Sequence, residues 1–180
     1  MAAPVALVVF THPVPDSFGA AVRDEVVAGL ERAGWEVDLD DLYGTAFDPM
    51  NPDPAVRRER VRRLRRARAL VFVHPTWWGG PPAATLGWIE HVWALAPRLA
   101  RRRIRRLVVV TTHGSSRVRN SLQGNPGRLI FMRYLRLGCH PRARSHWLAF
   151  YDNDRAGDEE RRAFMDRVAD RMSDLEPVGG

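Results

Sequence analysis

The chain has 180 residues, 45% of them hydrophobic, and a formal net charge of +7. That length suits one domain able to bury its own core, and no run of about 18 apolar residues argues for a membrane span. All 28 basic residues are arginine, a bias of the kind that codon usage imposes, so arginine abundance alone says little about partners.

The N-terminus has no basic region and runs at once into a short β-type segment, so it does not read as a signal peptide. Val5 to Phe10 is continuously apolar and rich in β-branched residues, which suits a parallel strand buried on both faces. Thr11 to Asp16 is a loop. Ser17 caps a helix to about Arg32, with Ala20, Ala21, Val26, Val27 and Leu30 as its apolar positions. Ala33 and Gly34 stop it, because glycine takes the left-handed position after a helix at little cost. Trp35 to Leu39 alternates as a second strand, and a proline-rich stretch, Pro49 to Pro54, leads into an arginine-rich helix from Ala55 to Ala67. Ala69 to His74 is a third strand, Pro75 to Pro82 a loop of Trp, Gly and Pro, and Ala83 to Leu95 a helix. Leu107 to Thr112 is a fourth strand, followed by a long loop, His113 to Gly124. Pro126 opens a helix to Leu137, since proline suits the first turn. Cys139 is the only cysteine, so no intrachain disulfide forms, which fits a reducing cytoplasm. Ser145 to Tyr151 alternates as a fifth strand, and Glu159 to Leu175 closes the chain as an amphipathic helix. The expected domain is therefore residues 1–176, with residues 177–180 frayed.

Strands and helices alternate throughout. This pattern predicts a five-stranded parallel sheet with helices on both faces, and such sheets bind ligands beyond the carboxyl ends of their strands. The arginines cluster at Arg57 to Arg68 and Arg98 to Arg106. A nucleic-acid or anionic-membrane patch is one reading. The preferred reading is a solvated helix face, since no aromatic residues interleave with the arginines and no nucleic-acid module is present.

Three segments follow strands where a ligand is expected. In THPVPDSFGAA, the helix start offers free N–H groups and partial positive charge to a phosphate. Ser17 adds a hydroxyl, Gly19 removes a side chain where the backbone must pass close to the ligand, and His12 can reach the same anion. An ordinary capped loop would look the same. Neither GxxxxGK[ST] nor GxGxxG is present, which argues against a Walker loop and a dinucleotide-binding turn. In HPTWWGGPPAATLGWIEHVW, Trp77 and Trp78 can wall a flat conjugated ring or plug a core. Trp88 and Trp93 on the next helix read as core or partner-facing. In TTHGSS, small residues leave N–H groups free to meet carbonyl oxygens. His113 is either a functional acid or a plain loop residue. No metal-ligand spacing links the six histidines.

At these residues the chain resembles the flavodoxin-like NAD(P)H:quinone oxidoreductases of the DT-diaphorase type and their bacterial relatives. His12, Ser17 and Phe18 match the family's first-loop pattern. Pro75, Trp77, Trp78, Pro82, Ala83, Gly87 and Trp88 match its second, and Thr111, Thr112 and Gly114 its third, with His113 replacing a glycine. The resemblance implies a flavodoxin-like three-layer sandwich, a bound flavin (FAD or FMN), NAD(P)H as co-substrate and a homodimer. It puts the flavin phosphate at His12, Ser17, Phe18 and Gly19, and the ring against Pro75, Thr76, Trp77 and Trp78 and the Thr111, Thr112, His113 and Gly114 loop. His113 and Trp78 are then the catalytic candidates. Vertebrate-type relatives carry a Tyr and a His after the third loop; near those places this chain has Arg119, Asn120 and Pro126. The function implied is hydride transfer from NAD(P)H through the flavin to a quinone-like or other small aromatic acceptor by a ping-pong route. The alternative is an ancillary subunit of a potassium efflux system, a role some bacterial relatives fill. The expected partners are small molecules, without nucleic acid or membrane insertion.

Overall fold

A computed structural model describes residues 2–177, so of the frayed end expected at residues 177–180 all but residue 177 lies outside the described residues. The strands are β1 (Val5–Phe10), β2 (Glu36–Asp41), β3 (Ala67–Thr76), β4 (Arg106–His113) and β5 (Arg144–Phe150), all parallel in the order β2-β1-β3-β4-β5. The chain leaves β1 for β2, then crosses back to β3 on the other side of β1. The strand order therefore reverses between β1 and β3, where an open α/β sheet forms its ligand crevice.

Side-chain alternation sends each central strand to two cores. Leu7 and Val9 of β1 and Leu70 and Phe72 of β3 face one cluster; Ala6, Val8, Phe10, Val71 and Val73 face the other. The second cluster is closed by α1 (Phe18–Arg32) and the C-terminal helix, whose Phe164, Val168 and Met172 recur at helical spacing. That helix spans Asp158–Ser173 and starts with Asp158, Glu159 and Glu160, acids that favour the positive end of the helix dipole. A Cβ at Gly29 of α1 would lie 2.5 Å from Met172, so glycine permits the close approach of the two helices.

The first cluster is closed by α2 (Pro54–Arg66), α3 (Ala83–Trp88) and the helical segment from Pro126 to Gly138. Both of the latter loosen into π-helical turns, Ile89–Trp93 and Ile130–Leu135, where continuous α-helices were expected. The apolar pattern scarcely distinguishes the two windings. Trp88 and Trp93 are core residues, as are Phe131 and Leu135, which removes them from any partner surface.

The arginine-rich helix departs from a purely solvated face. Arg60 is buried and binds Asp40 of β2 at 3.1 Å, with its guanidinium over Phe47. Trp88 Nε1 donates to the same carboxylate at 3.0 Å, and Arg63 bridges Asp38 and Asp40. With the more exposed Arg66–Glu36 pair, three arginines thus clamp α2 to β2. Among the described residues, no helix is long and apolar enough to cross a membrane.

Candidate functional site

A cleft of about 510 Å³ opens at the carboxyl edge of the sheet. The loop after β1 contributes His12, and the end of β3 contributes Pro75, Thr76, Trp77 and Trp78. The end of β4 contributes Thr112 and Gly114. A fourth segment, after β5, adds Asn153 and Asp154, which the sequence analysis did not single out.

Ser17 caps α1 as expected, accepting from Ala20 N–H at 3.1 Å. Ser17 accepts through its oxygen, so its own hydroxyl hydrogen is left to donate. Ala20 and Ala21 N–H bond to the Ser17 carbonyl, whereas Phe18 and Gly19 N–H have no partner among the described residues. The first turn of α1 carries no acid. Two free donors at the positive end of a 15-residue helix suit an anion. His12 Nδ1 lies 3.1 Å from both the Val14 N–H and the Val14 carbonyl, so either ring tautomer is satisfied there, and the one that accepts from Val14 N–H leaves Nε2–H as a further donor. A Cβ at Gly19 would lie 3.1 Å from the His12 ring, so glycine keeps the two loops close. Phe18 differs from expectation in its side chain, which packs against Phe150 and Phe164 at 5.4 and 6.3 Å. Only its backbone can face an anion.

The tryptophan pair does not plug the core. Trp77 is 43% exposed and Trp78 is fully exposed. Trp77 and Gly80 exchange backbone hydrogen bonds at 2.9 and 3.0 Å around a two-residue turn. Trp78 and Gly79 take φ of +51° and +79°, as a tight turn of this hand requires. A positive φ in so bulky a residue costs about 1–3 kcal/mol and is kept only where the surroundings enforce it. Here the Gly79 carbonyl also accepts from Gly127 N–H at 3.0 Å. The result is a rigid arm presenting two indoles beside the cleft.

Behind the arm runs a chain of hydrogen bonds. Asn120 Nδ2 donates to Ser115 Oγ at 2.8 Å and to Ser116 O at 2.9 Å, so its Oδ1 accepts from His113 Nδ1 at 3.0 Å. His113 Nε2 then accepts from the Thr76 hydroxyl at 3.4 Å, and the Thr111 hydroxyl meets Thr76 at 2.8 Å. His113 stacks on Tyr151 with centroids 4.5 Å apart. Thr111 and His113 are buried, so their side chains support the cleft without lining it. Burial pushes the His113 pKa down to about 4 against the opposing Asn120 hydrogen bond. Of the two roles the sequence leaves open, functional acid or plain loop residue, neither holds: His113 is a buried, neutral positioning residue. Arg117 and Arg119 lie exposed on a short helix, Arg117–Leu122, in what was expected to be a loop.

The residues present fit a flavin. The free amides, the Ser17 hydroxyl and His12 form an anion cradle. The exposed indoles form an apolar wall, and Asn153 Oδ1 is a buried acceptor in the lining without a partner among the described residues.

The chain is 30% identical to NAD(P)H dehydrogenase (quinone) 1 of Cavia porcellus over 115 residues, 48% of this chain and 42% of that one. It spans about half the length of the curated relatives it matches. It superposes on an NAD(P)H:quinone oxidoreductase from Methanothermobacter marburgensis with a TM-score of 0.79, at 23% identity and 99% coverage of both chains. An FMN-dependent NADH-azoreductase of Bacillus anthracis in complex with FMN aligns with a TM-score of 0.73, at 11% identity, over 96% of this chain and all of that one. A model of the flavodoxin-like fold matches residues 5–140, and that span carries the reversal of strand order and the first three cleft segments: the chain belongs to the flavodoxin-like fold family.

Proposed function

We propose that residues 1–176 form a single flavin-binding domain acting as an NAD(P)H dehydrogenase (quinone)-like enzyme, with hydride passing from NAD(P)H to bound FAD or FMN and then to a quinone-like or other small aromatic acceptor. The observation that carries this reading is the meeting of an anion cradle and an exposed indole wall in one cleft. Relatives and structural neighbours with NAD(P)H- and FMN-dependent activities support it.

A bound flavin supplies the hydride chemistry. The protein supplies position and electrostatics. Phe18 and Gly19 N–H, the Ser17 hydroxyl and His12 Nε2–H hold the phosphate. Pro75, Thr76 and Trp77 border the ring, and the free face of Trp78 excludes water from one side of the reacting centre. Thr111, Thr112 and His113 lie within the β4 ladder, so Gly114 N–H, just beyond it, is the backbone donor left to meet charge at the ring edge. His113 stays neutral and holds the Thr76 and Asn120 segments in register. NAD(P)H and acceptor use the same open side of the cleft in turn, a ping-pong order.

Exposed Leu129, Tyr134 and Leu137 lie on the segment from Pro126 to Gly138 and support a homodimer through this face; light scattering at micromolar concentration checks it. The buried, unreactive Cys139 thiol, pushed up to about 12 by burial, suits a cytoplasmic setting. The test of the main reading is direct. Purified protein should be yellow, bleach under anaerobic NAD(P)H, and release FAD or FMN on heating. A colourless protein that takes up neither flavin would end it.

A further inference from the structure

The richest unassigned feature is the arginine face. Between Ala55 and Arg106 the sequence holds 14 arginines and two acids, Glu59 and Glu90. The fold divides these arginines in two. Arg60 and Arg63 turn inward to Asp40 and Asp38, while Arg62 pairs with Glu59 and Arg66 with Glu36. Arg57, Arg58 and Arg65 form no ion pair among the described residues. They line a groove of about 790 Å³ that also exposes Leu95.

The surface continues onto α4 (Arg98–Arg101), where Leu99 is 83% exposed between arginines. It then reaches the amino edge of the sheet, where Arg68, Arg103, Arg105 and Arg144 lie at or near the strand starts. These charges crowd one another. Burial and then Arg103 and Arg105 lower the Arg68 pKa, and burial and then Arg144 lower that of Arg106. A merely solvated face would intersperse acids among its bases. A like-charge field of this density favours an anionic partner.

We propose that this face docks the protein on an anionic lipid surface, with Leu95 and Leu99 entering the headgroup boundary and the surrounding guanidiniums meeting lipid phosphates and carboxylates. The leucines decide between polyanions. A nucleic-acid backbone gains little from two exposed leucines, whereas a bilayer takes up apolar side chains ringed by cations. Aromatic residues that would stack on bases do not line the groove. The groove runs along α2 on the outside of one sheet face, from the level of Asp40 to that of Glu36, and the arginines at the strand starts lie opposite the cleft, separated from it by the 8 residues of β4, roughly 25 Å. The proposal does not depend on the flavin reading.

The test is vesicle sedimentation of the full chain. Vesicles of equal parts phosphatidylserine and phosphatidylcholine are compared with pure phosphatidylcholine at low and high salt. Binding should require phosphatidylserine and fall with salt. Each arginine near the surface contributes on the order of fivefold. The Arg57→Gln, Arg58→Gln, Arg65→Gln triple variant should therefore bind about a hundredfold more weakly. Leu95→Ser with Leu99→Ser should cost about tenfold or more while all charges stay in place. Unchanged circular dichroism melting of both variants shows that the fold survives. Absence of binding to phosphatidylserine vesicles at low salt overturns the proposal, as does wild-type binding by the triple variant. Tighter retention on duplex DNA than on vesicles, unaffected by the leucine changes, would mark a nucleic-acid face instead.

Discussion

Replacing His74 with leucine should make the protein more resistant to acid. His74 is 3% exposed, stacks on Phe131 and donates from Nδ1 to the Pro75 carbonyl at 2.9 Å, while its Nε2 has no partner among the described residues. Burial, opposed by the Pro75 hydrogen bond and aided by nearby His113, lowers its pKa to about 4. The folded state therefore resists a proton that the unfolded chain accepts at the ordinary value of 6.5. Stability is full above that value and is lost as pH falls toward 4. Linkage between these two values gives a loss of about 2 kcal/mol from this residue at about pH 5, and almost none at about pH 7. Leucine has similar volume and no titratable nitrogen. It also removes the unpaired Nε2, which offsets the lost bond to Pro75. Urea unfolding followed by tryptophan fluorescence should place wild type and His74→Leu within about 1 kcal/mol at neutral pH. At about pH 5 the variant should be more stable by about 2 kcal/mol. Acidic residues titrate in both proteins and cancel in the difference. If the two stabilities run parallel across this range, His74 is not buried in its neutral form against Phe131.

Ser17→Asp keeps a good helix cap but sets a carboxylate where the phosphate is expected; a few kcal/mol of repulsion should weaken flavin binding on the order of a hundredfold. Unchanged retention after ultrafiltration would locate the phosphate elsewhere. His113→Ala breaks the link from Thr76 to Asn120 and should slow single-turnover flavin reduction about tenfold to a hundredfold. Because His113 is neutral above about 4, wild type should show no inflection near neutral pH that the variant lacks. A stopped-flow profile with such an inflection would contradict the buried, neutral imidazole. Asp40→Ala strands the buried Arg60 guanidinium and should destabilise the protein by about 3–5 kcal/mol. A melting curve close to wild type would show that Arg60 finds solvent without its partner.

The central strands were legible because burial on both faces demands a continuous apolar run, and Val5 to Phe10 and Leu107 to Val110 meet that demand with little else available to them. Their ends were not. β3 continues through Pro75 and Thr76 because β4 pairs alongside, Pro75 opposite Thr112 and Thr76 opposite His113. Proline followed by threonine, two tryptophans and two glycines reads locally as a loop; only the neighbouring strand makes its first part a ladder. The short helix Arg117–Leu122 escaped for the opposite reason. Val118 and Leu122 are exposed, so it has no buried stripe to detect, and its Ser116 cap alone is a weak signal.

The site was visible wherever chemistry required unusual residues, and hidden wherever the fold recruited ordinary ones. Ser17, Gly19 and the tryptophan arm stand out in any reading. Asn153 and Asp154 sit in a polar stretch after Tyr151 that resembles a plain turn, and they reach the cleft only because β5 pairs beside β4. Extending the rule of strand-end loops to the fifth strand would have found them. His113 shows the limit most clearly. The alternation that buries Val109 and Thr111 on one face of β4 also carries His113 inward, two residues further on, if the strand is long enough. One residue of strand length therefore decides whether this histidine is a surface acid or a neutral strut. That residue is set by pairing with Thr76, a contact 37 positions away in the chain. Local sequence specified the material of the cleft, and long-range pairing assigned each side chain its charge state and its role.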